Sequence, residues 1–152
     1  MCFWKNLAKF VGMKQSIDFL PERKQRDLHE LVGLIRDEVK DVVMIILYGS
    51  YARNTYVELD IRRDYGGGKI QYMSDYDILV VSKKRLGSRT VTVSSRVKSS
   101  FLKNKNADTQ TRPQIINESI TKFNNALSEG RYFYVDILTE GIVLYDSGEC
   151  QL

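Results

Sequence analysis

The chain has 152 residues, of which 43% are apolar and 28% charged, with a net charge of +4. That length makes one domain with enough apolar residues for a core, and the mixture excludes a disordered or repetitive chain. No apolar run reaches transmembrane length and the first residues lack a signal peptide's unbroken apolar stretch, so a cytoplasmic protein with no membrane association is expected.

Residues 1–12 put Phe3, Trp4, Leu7, Phe10 and Val11 on one helical face with Lys5 and Lys9 opposite, the pattern of a basic amphipathic membrane or partner helix. So short a helix anchors poorly, and an N-terminal extension is the expected reading. A helix then begins at Leu20-Pro21-Glu22, with Pro at its first position and Leu28, Leu31, Val32, Ile35 and Val39 at helical spacing. His29, the single histidine, falls at the polar edge of that stripe and reads as a surface residue. An apolar run from Val42 to Leu47 reads as a buried strand that ends in a Gly49-Ser50 turn. Strand-like Glu58 to Arg62 and Lys69 to Tyr72 flank the turn signal Asp64-Tyr-Gly-Gly-Gly-Lys69, which predicts a hairpin within residues 57–73. Next come a strand from Tyr76 to Val81, a helix marked by Val93, Val97 and Phe101, and a polar loop from Asn104 to Asp108. A short strand from Gln114 to Ile116, opened by Pro113, precedes a helix carrying Ile120, Phe123 and Leu127 that Gly130 ends. Two further strands are expected, Tyr132 to Leu138 and Ile142 to Tyr145. Interleaved helices and strands imply an α/β or α+β domain.

Cys2 and Cys150 stand at opposite ends with no metal-site spacing, which fits a reducing compartment. From Lys83 to Lys105 there are eight cations and no acid. Such a run can steer an anion, and it equally describes a solvated helix and loop. With Phe101 as its single aromatic it offers no stacking platform, and no nucleic-acid partner is expected.

Two motifs carry chemistry. Gly49-Ser50 follows a buried strand, where glycine lets backbone N–H groups approach a phosphate and a following helix adds its positive N-terminal dipole. Asp75 and Asp77 are two apart at the start of an apolar run, so in an extended chain both carboxylates point to one face. A pair of carboxylates on a rigid strand suits Mg²⁺ shared with substrate phosphates. Taken singly, the first motif is a capped turn and the second a solvated strand edge; their combination is the signal. Arg53 could meet a phosphate or a partner, or pack across its own helix. Tyr48, Tyr51, Tyr56, Tyr65, Tyr72 and Tyr76 could stack on a nucleobase or belong to core and rim.

At these residues the chain resembles the nucleotidyltransferase superfamily, in the branch of the minimal and kanamycin-type enzymes. Its Gly-Ser turn is similar to Gly49-Ser50 and its Asp-x-Asp to Asp75-Tyr-Asp77. The resemblance implies a mixed β-sheet flanked by helices, here with an inserted β-hairpin, over residues 13–152, with residues 1–12 as the extension. It also implies a third carboxylate from a neighbouring strand, for which Asp136 in Tyr132-Phe-Tyr-Val-Asp-Ile-Leu138 is the candidate. Asp75, Asp77 and Asp136 would then be catalytic and hold two Mg²⁺ ions, with Asp136 as ligand or base on the acceptor side, while Gly49, Ser50 and Arg53 bind the nucleoside triphosphate. Two features depart from the family pattern: 24 residues separate Ser50 from Asp75, far more than in compact members, and Asn54 stands where Gly commonly follows Ala-Arg. Asn tolerates the left-handed backbone, so the second departure is mild. The implied activity is transfer of AMP from ATP to a hydroxyl. The acceptor would be a tyrosine of a HEPN-domain protein, as in toxin–antitoxin pairs, or of a C-terminal HEPN domain in the same chain. The alternatives are an aminoglycoside-like small-molecule adenylyltransferase and a non-catalytic nucleotide-binding antitoxin. A homo-oligomer is compatible with all three.

Overall fold

The computed structural model describes residues 13–148. The amphipathic segment 1–12 and both cysteines lie outside the described residues. The order of elements is α1 (Glu22–Glu38), β1 (Val42–Tyr48), α2 (Gly49–Arg53), β2 (Asp60–Arg63), β3 (Lys69–Tyr72), β4 (Tyr76–Ser82), α3 (Arg89–Leu102), β5 (Pro113–Ser119), α4 (Ile120–Ser128), α5 (Tyr132–Glu140) and β6 (Ile142–Asp146).

β1 is apolar from end to end because it is buried on both faces, at the centre of a four-stranded sheet of order β5-β4-β1-β6. It pairs antiparallel with β4 and β6, while β4 and β5 run parallel. The parallel pair needs a crossover, which α3 supplies. Leu28, Leu31 and Ile35 of α1 and Val93, Val97 and Phe101 of α3 pack on one face of the sheet against Ile45, Leu47, Ile78 and Val80. Phe123 and Leu127 of α4 and Ile137 and Leu138 of α5 cover the other, against Val43, Met44, Ile46, Leu79 and Val81. A register shift between Val42 and Met44 is what lets the consecutive Val43 and Met44 share that second face. The fold is therefore a mixed α+β sandwich of helices about one sheet.

β2 and β3 form a separate two-stranded antiparallel sheet, with Asp60 opposite Tyr72 and Arg63 opposite Lys69. This is the expected hairpin. Its neck is closed by Ser74 N–H to Val57 O and Val57 N–H to Ser74 Oγ, both 2.9 Å, and Arg23 of α1 pairs with Glu58. Asn54 takes up the left-handed conformation at φ 60° that its position demands. His29 is exposed, and the cations of the basic run are largely solvated on α3 and its flanking loops, where Arg96 pairs with Glu38 and Lys105 with Glu30.

One element differs in kind from expectation. Residues 132–138 are not a strand but belong to helix α5. Tyr134, Ile137 and Leu138, at i, i+3 and i+4, pack onto the sheet's second face, and that helical stripe prevails over the local β preference of the aromatic and β-branched residues.

Candidate active site

The fold brings the two motifs together at one end of the sheet. Tyr48, the last residue of β1, lies in register with Asp77 of β4, so the turn that follows β1 sits beside the Asp-x-Asp. Gly49 occupies that turn at φ 75°, and a β-carbon there would collide with Asp77 Oδ2, with Asp77 Cγ only 3.1 Å away. Any other residue there would have to displace the Asp77 side chain and adopt a positive φ, which glycine does without strain. Ser50 is the second residue of the single-turn α2 and is half-buried.

Burial, and after it the neighbouring Asp75 carboxylate, raise Asp77 above the ordinary carboxylate range, while Arg53 pulls the other way. The pair is therefore charged unfavourably and Arg53 only partly offsets it. Arg53 is itself engaged, its guanidinium donating to Glu140 on α5 at 3.1 Å, with both side chains nearly half exposed. Burial, helped by Asp77, pushes the Tyr48 hydroxyl up to about 12.

Asp136 is carried by a helix and not by a strand of the sheet. It is exposed on α5, three residues after Phe133, whose ring meets Tyr48, and four before Glu140, which meets Arg53. Among the described residues no three His, Cys, Asp or Glu side chains gather closely enough to hold one metal ion, so the expected trio is not assembled. On β5, the other neighbour of β4, the residue in register with Asp77 is Gln114.

Two neighbouring carboxylates are donors of the kind a divalent cation takes. A phosphate at the Gly49 turn would meet the Asp77 carboxylate directly, and a positive charge shared between them would remove that repulsion. Asp75 and Asp77 would hold Mg²⁺ together with the nucleotide's own oxygens. A second ion has no gathered third carboxylate among the described residues.

Most of the tyrosines belong elsewhere. Tyr51 and Tyr76 are fully buried on the α1 face of the sheet, and Tyr56 stacks on Tyr51 with ring centroids 4.2 Å apart. Tyr51 shares Thr111 Oγ1 with the buried Lys24, at 3.0 and 2.7 Å, and Tyr76 donates to Asp27 at 2.7 Å. Tyr65 and Tyr72 are exposed on the hairpin. Tyr48 alone of the six lies in register with Asp77 beside the turn. The aromatic residues that expectation missed are Tyr132 and Phe133, exposed at the start of α5. Their signal was hidden because a strand would have placed them on opposite faces.

Comparison with protein-family models, with curated proteins and with solved structures gave no match. No helix among the described residues is long and apolar enough to cross a membrane.

Proposed function

We propose that this chain is a Mg²⁺-dependent nucleotidyltransferase that moves AMP from ATP to a hydroxyl of a helical HEPN-type partner. The observation that carries this reading is the close approach of the Gly49 turn to the Asp77 carboxylate; in this reading the turn's N–H groups bind phosphate and the carboxylate binds the cation.

In this reading the Gly49 and Ser50 N–H groups and the Ser50 hydroxyl hold the β- and γ-phosphates, and Asp75 and Asp77 hold the cation. When bound, Mg²⁺ supplies charge neutralisation of the triphosphate and of the pyrophosphate that leaves. The acceptor oxygen attacks the α-phosphorus in line, its bond to phosphorus forming as the bond to the bridging oxygen of the β-phosphate breaks. Asp136, exposed on α5, takes the hydroxyl proton; its place on a helix suits a base on the acceptor side rather than a shared metal ligand. Glu140 holds Arg53 beside the turn, ready to exchange its carboxylate for a phosphate. The hairpin and α5 flank the site, and a partner surface there would complete the acceptor side.

A second reading, a nucleotide-binding antitoxin that does not transfer, is favoured by Gln114, which stands in register with Asp77 where a strand carboxylate would be. One experiment separates the two. The chain is incubated with ATP, Mg²⁺ and a candidate HEPN-type partner, and pyrophosphate release is followed alongside the partner's mass. Added AMP on a partner tyrosine, absent with Asp77→Asn, supports transfer. Tight binding of Mg²⁺-ATP without any pyrophosphate supports the non-catalytic reading, and adenylylation of a small alcohol instead moves the acceptor to the small-molecule class.

A further inference from the structure

Two large aromatic side chains remain in water beside the phosphate turn. Tyr132 is 85% and Phe133 49% exposed, although both open a helix whose later residues Ile137 and Leu138 are buried. Being adjacent, the two rings form a small exposed aromatic patch at the start of α5, which is what gives the exposure its meaning. Phe133 is held firmly. Its ring meets Tyr48 edge-on at 5.9 Å and Tyr134 edge-on at 5.3 Å, and Tyr134 in turn stands edge-on to the buried Phe123 and donates its hydroxyl to Glu118. The ring is thus packed against two neighbouring rings while about half of the residue's surface stays open. Tyr48 immediately precedes Gly49 and lies in register with Asp77, so this open ring belongs to the rim of the phosphate site.

We propose that Phe133, flanked by Tyr132, is the platform on which the nucleobase of the bound triphosphate stacks. The inference rests on Gly49 and Ser50 as the phosphate site. A pre-positioned ring gives stacking at little cost in side-chain ordering. The Phe133 ring itself is apolar, the neighbouring Tyr134 hydroxyl is spent on Glu118 and the guanidinium of Arg131 on Glu129. With no hydrogen-bonding group committed to a base edge, stacking area decides selectivity, so purines bind better than pyrimidines and adenine is scarcely distinguished from guanine.

Titration calorimetry of the intact chain with Mg²⁺ tests this, using ATP, GTP, CTP and inorganic tripolyphosphate as ligands. ATP and GTP should bind within about threefold of each other and at least about fivefold more tightly than tripolyphosphate, with CTP between. Phe133→Ala should weaken ATP about tenfold or more while leaving tripolyphosphate within about twofold, and Phe133→Trp should restore ATP binding. Phe133→Leu keeps apolar packing against Tyr48 but removes the π face, so it should lose ATP affinity with the wild-type melting temperature retained. ATP binding no tighter than tripolyphosphate, or unaffected by Phe133→Leu in a folded protein, overturns the platform and leaves the phosphate site standing. If the wild type binds neither ligand, the phosphate site itself fails and the platform falls with it.

Discussion

Gly49 and Asp77 meet so closely that the space for a side chain on the first is filled by the carboxylate of the second. Two constraints coincide at this glycine, the left-handed φ of 75° and the missing volume. Gly49→Ala should therefore destabilise the fold by about 1–3 kcal/mol and displace Asp77. At about 2–4 °C per kcal/mol for a domain of this size, the loss is readable as a melting shift. Adding Asp77→Ala should recover part of the stability and none of the Mg²⁺-ATP binding. A fully stable Gly49→Ala protein that still binds nucleotide contradicts the close approach.

Asp77 itself is costly to keep charged. Its pKa is raised in the folded protein, so the folded chain holds this proton more tightly than the unfolded one. The stability it contributes is present below the ordinary carboxylate value of 3.8 and is lost as pH rises through the raised value. Asp77→Asn removes that loss. Without metal, the variant should be at least as stable as the wild type at neutral pH, with a flatter decline above pH 3.8. With Mg²⁺-ATP the order reverses, because only the wild type gains from binding. Melting curves across pH, with and without Mg²⁺-ATP, check both halves. Transfer by Asp77→Asn within about tenfold of wild type contradicts the ligand role.

Asp136 should behave differently. As an acceptor-side base on α5 it contributes to the chemical step and not to holding the nucleotide. Asp136→Asn is expected to keep Mg²⁺-ATP affinity within about twofold while transfer to the partner falls about 100-fold or more. A loss of nucleotide affinity equal to that of Asp77→Asn would return Asp136 to the metal.

Away from the site, Lys24 is 4% exposed, donates to Thr111 Oγ1 at 2.7 Å and lies 3.8 Å from Glu58. Burial, with Arg23 next, lowers its pKa from the usual lysine value. Thr111→Val removes the acceptor and should cost about 1.5–3 kcal/mol. Replacing the amine as well, in Lys24→Met with Thr111→Val, should recover only part of that loss: the buried charge is no longer stranded, but the buried Tyr51 hydroxyl still lacks Thr111 Oγ1. Chemical denaturation of the single and double variants measures the difference.

The parts of this molecule that periodicity can reach were legible in the sequence. Leu28, Leu31 and Ile35 announce α1, Val93, Val97 and Phe101 announce α3, and the apolar run after Val42 announces a central strand, all of them buried as that spacing requires. The Gly49-Ser50 turn and Asp75/Asp77 were legible as motifs, and their adjacency follows from β1 pairing with β4. α5 was not. Its alternation of aromatic and β-branched residues imitates a strand, and the helix forms because Tyr134, Ile137 and Leu138 find the sheet at helical spacing. That one misassignment also cost the placement of Asp136 and concealed Tyr132 and Phe133, since a register of two and a turn of 3.6 distribute the same side chains differently. Gln114 was legible only as a residue of a short strand, because its register with Asp77 is a tertiary fact.

The neck between Val57 and Ser74 changes what sequence distance means in this chain. Because its two ends are pinned to each other, everything between them is a tethered appendage, and the chain re-enters β4 where it would have done had the hairpin been shorter. The entropy of closing such a loop grows only logarithmically with its length. Separation along the chain therefore carries little information about whether the turn and the carboxylate pair form one site.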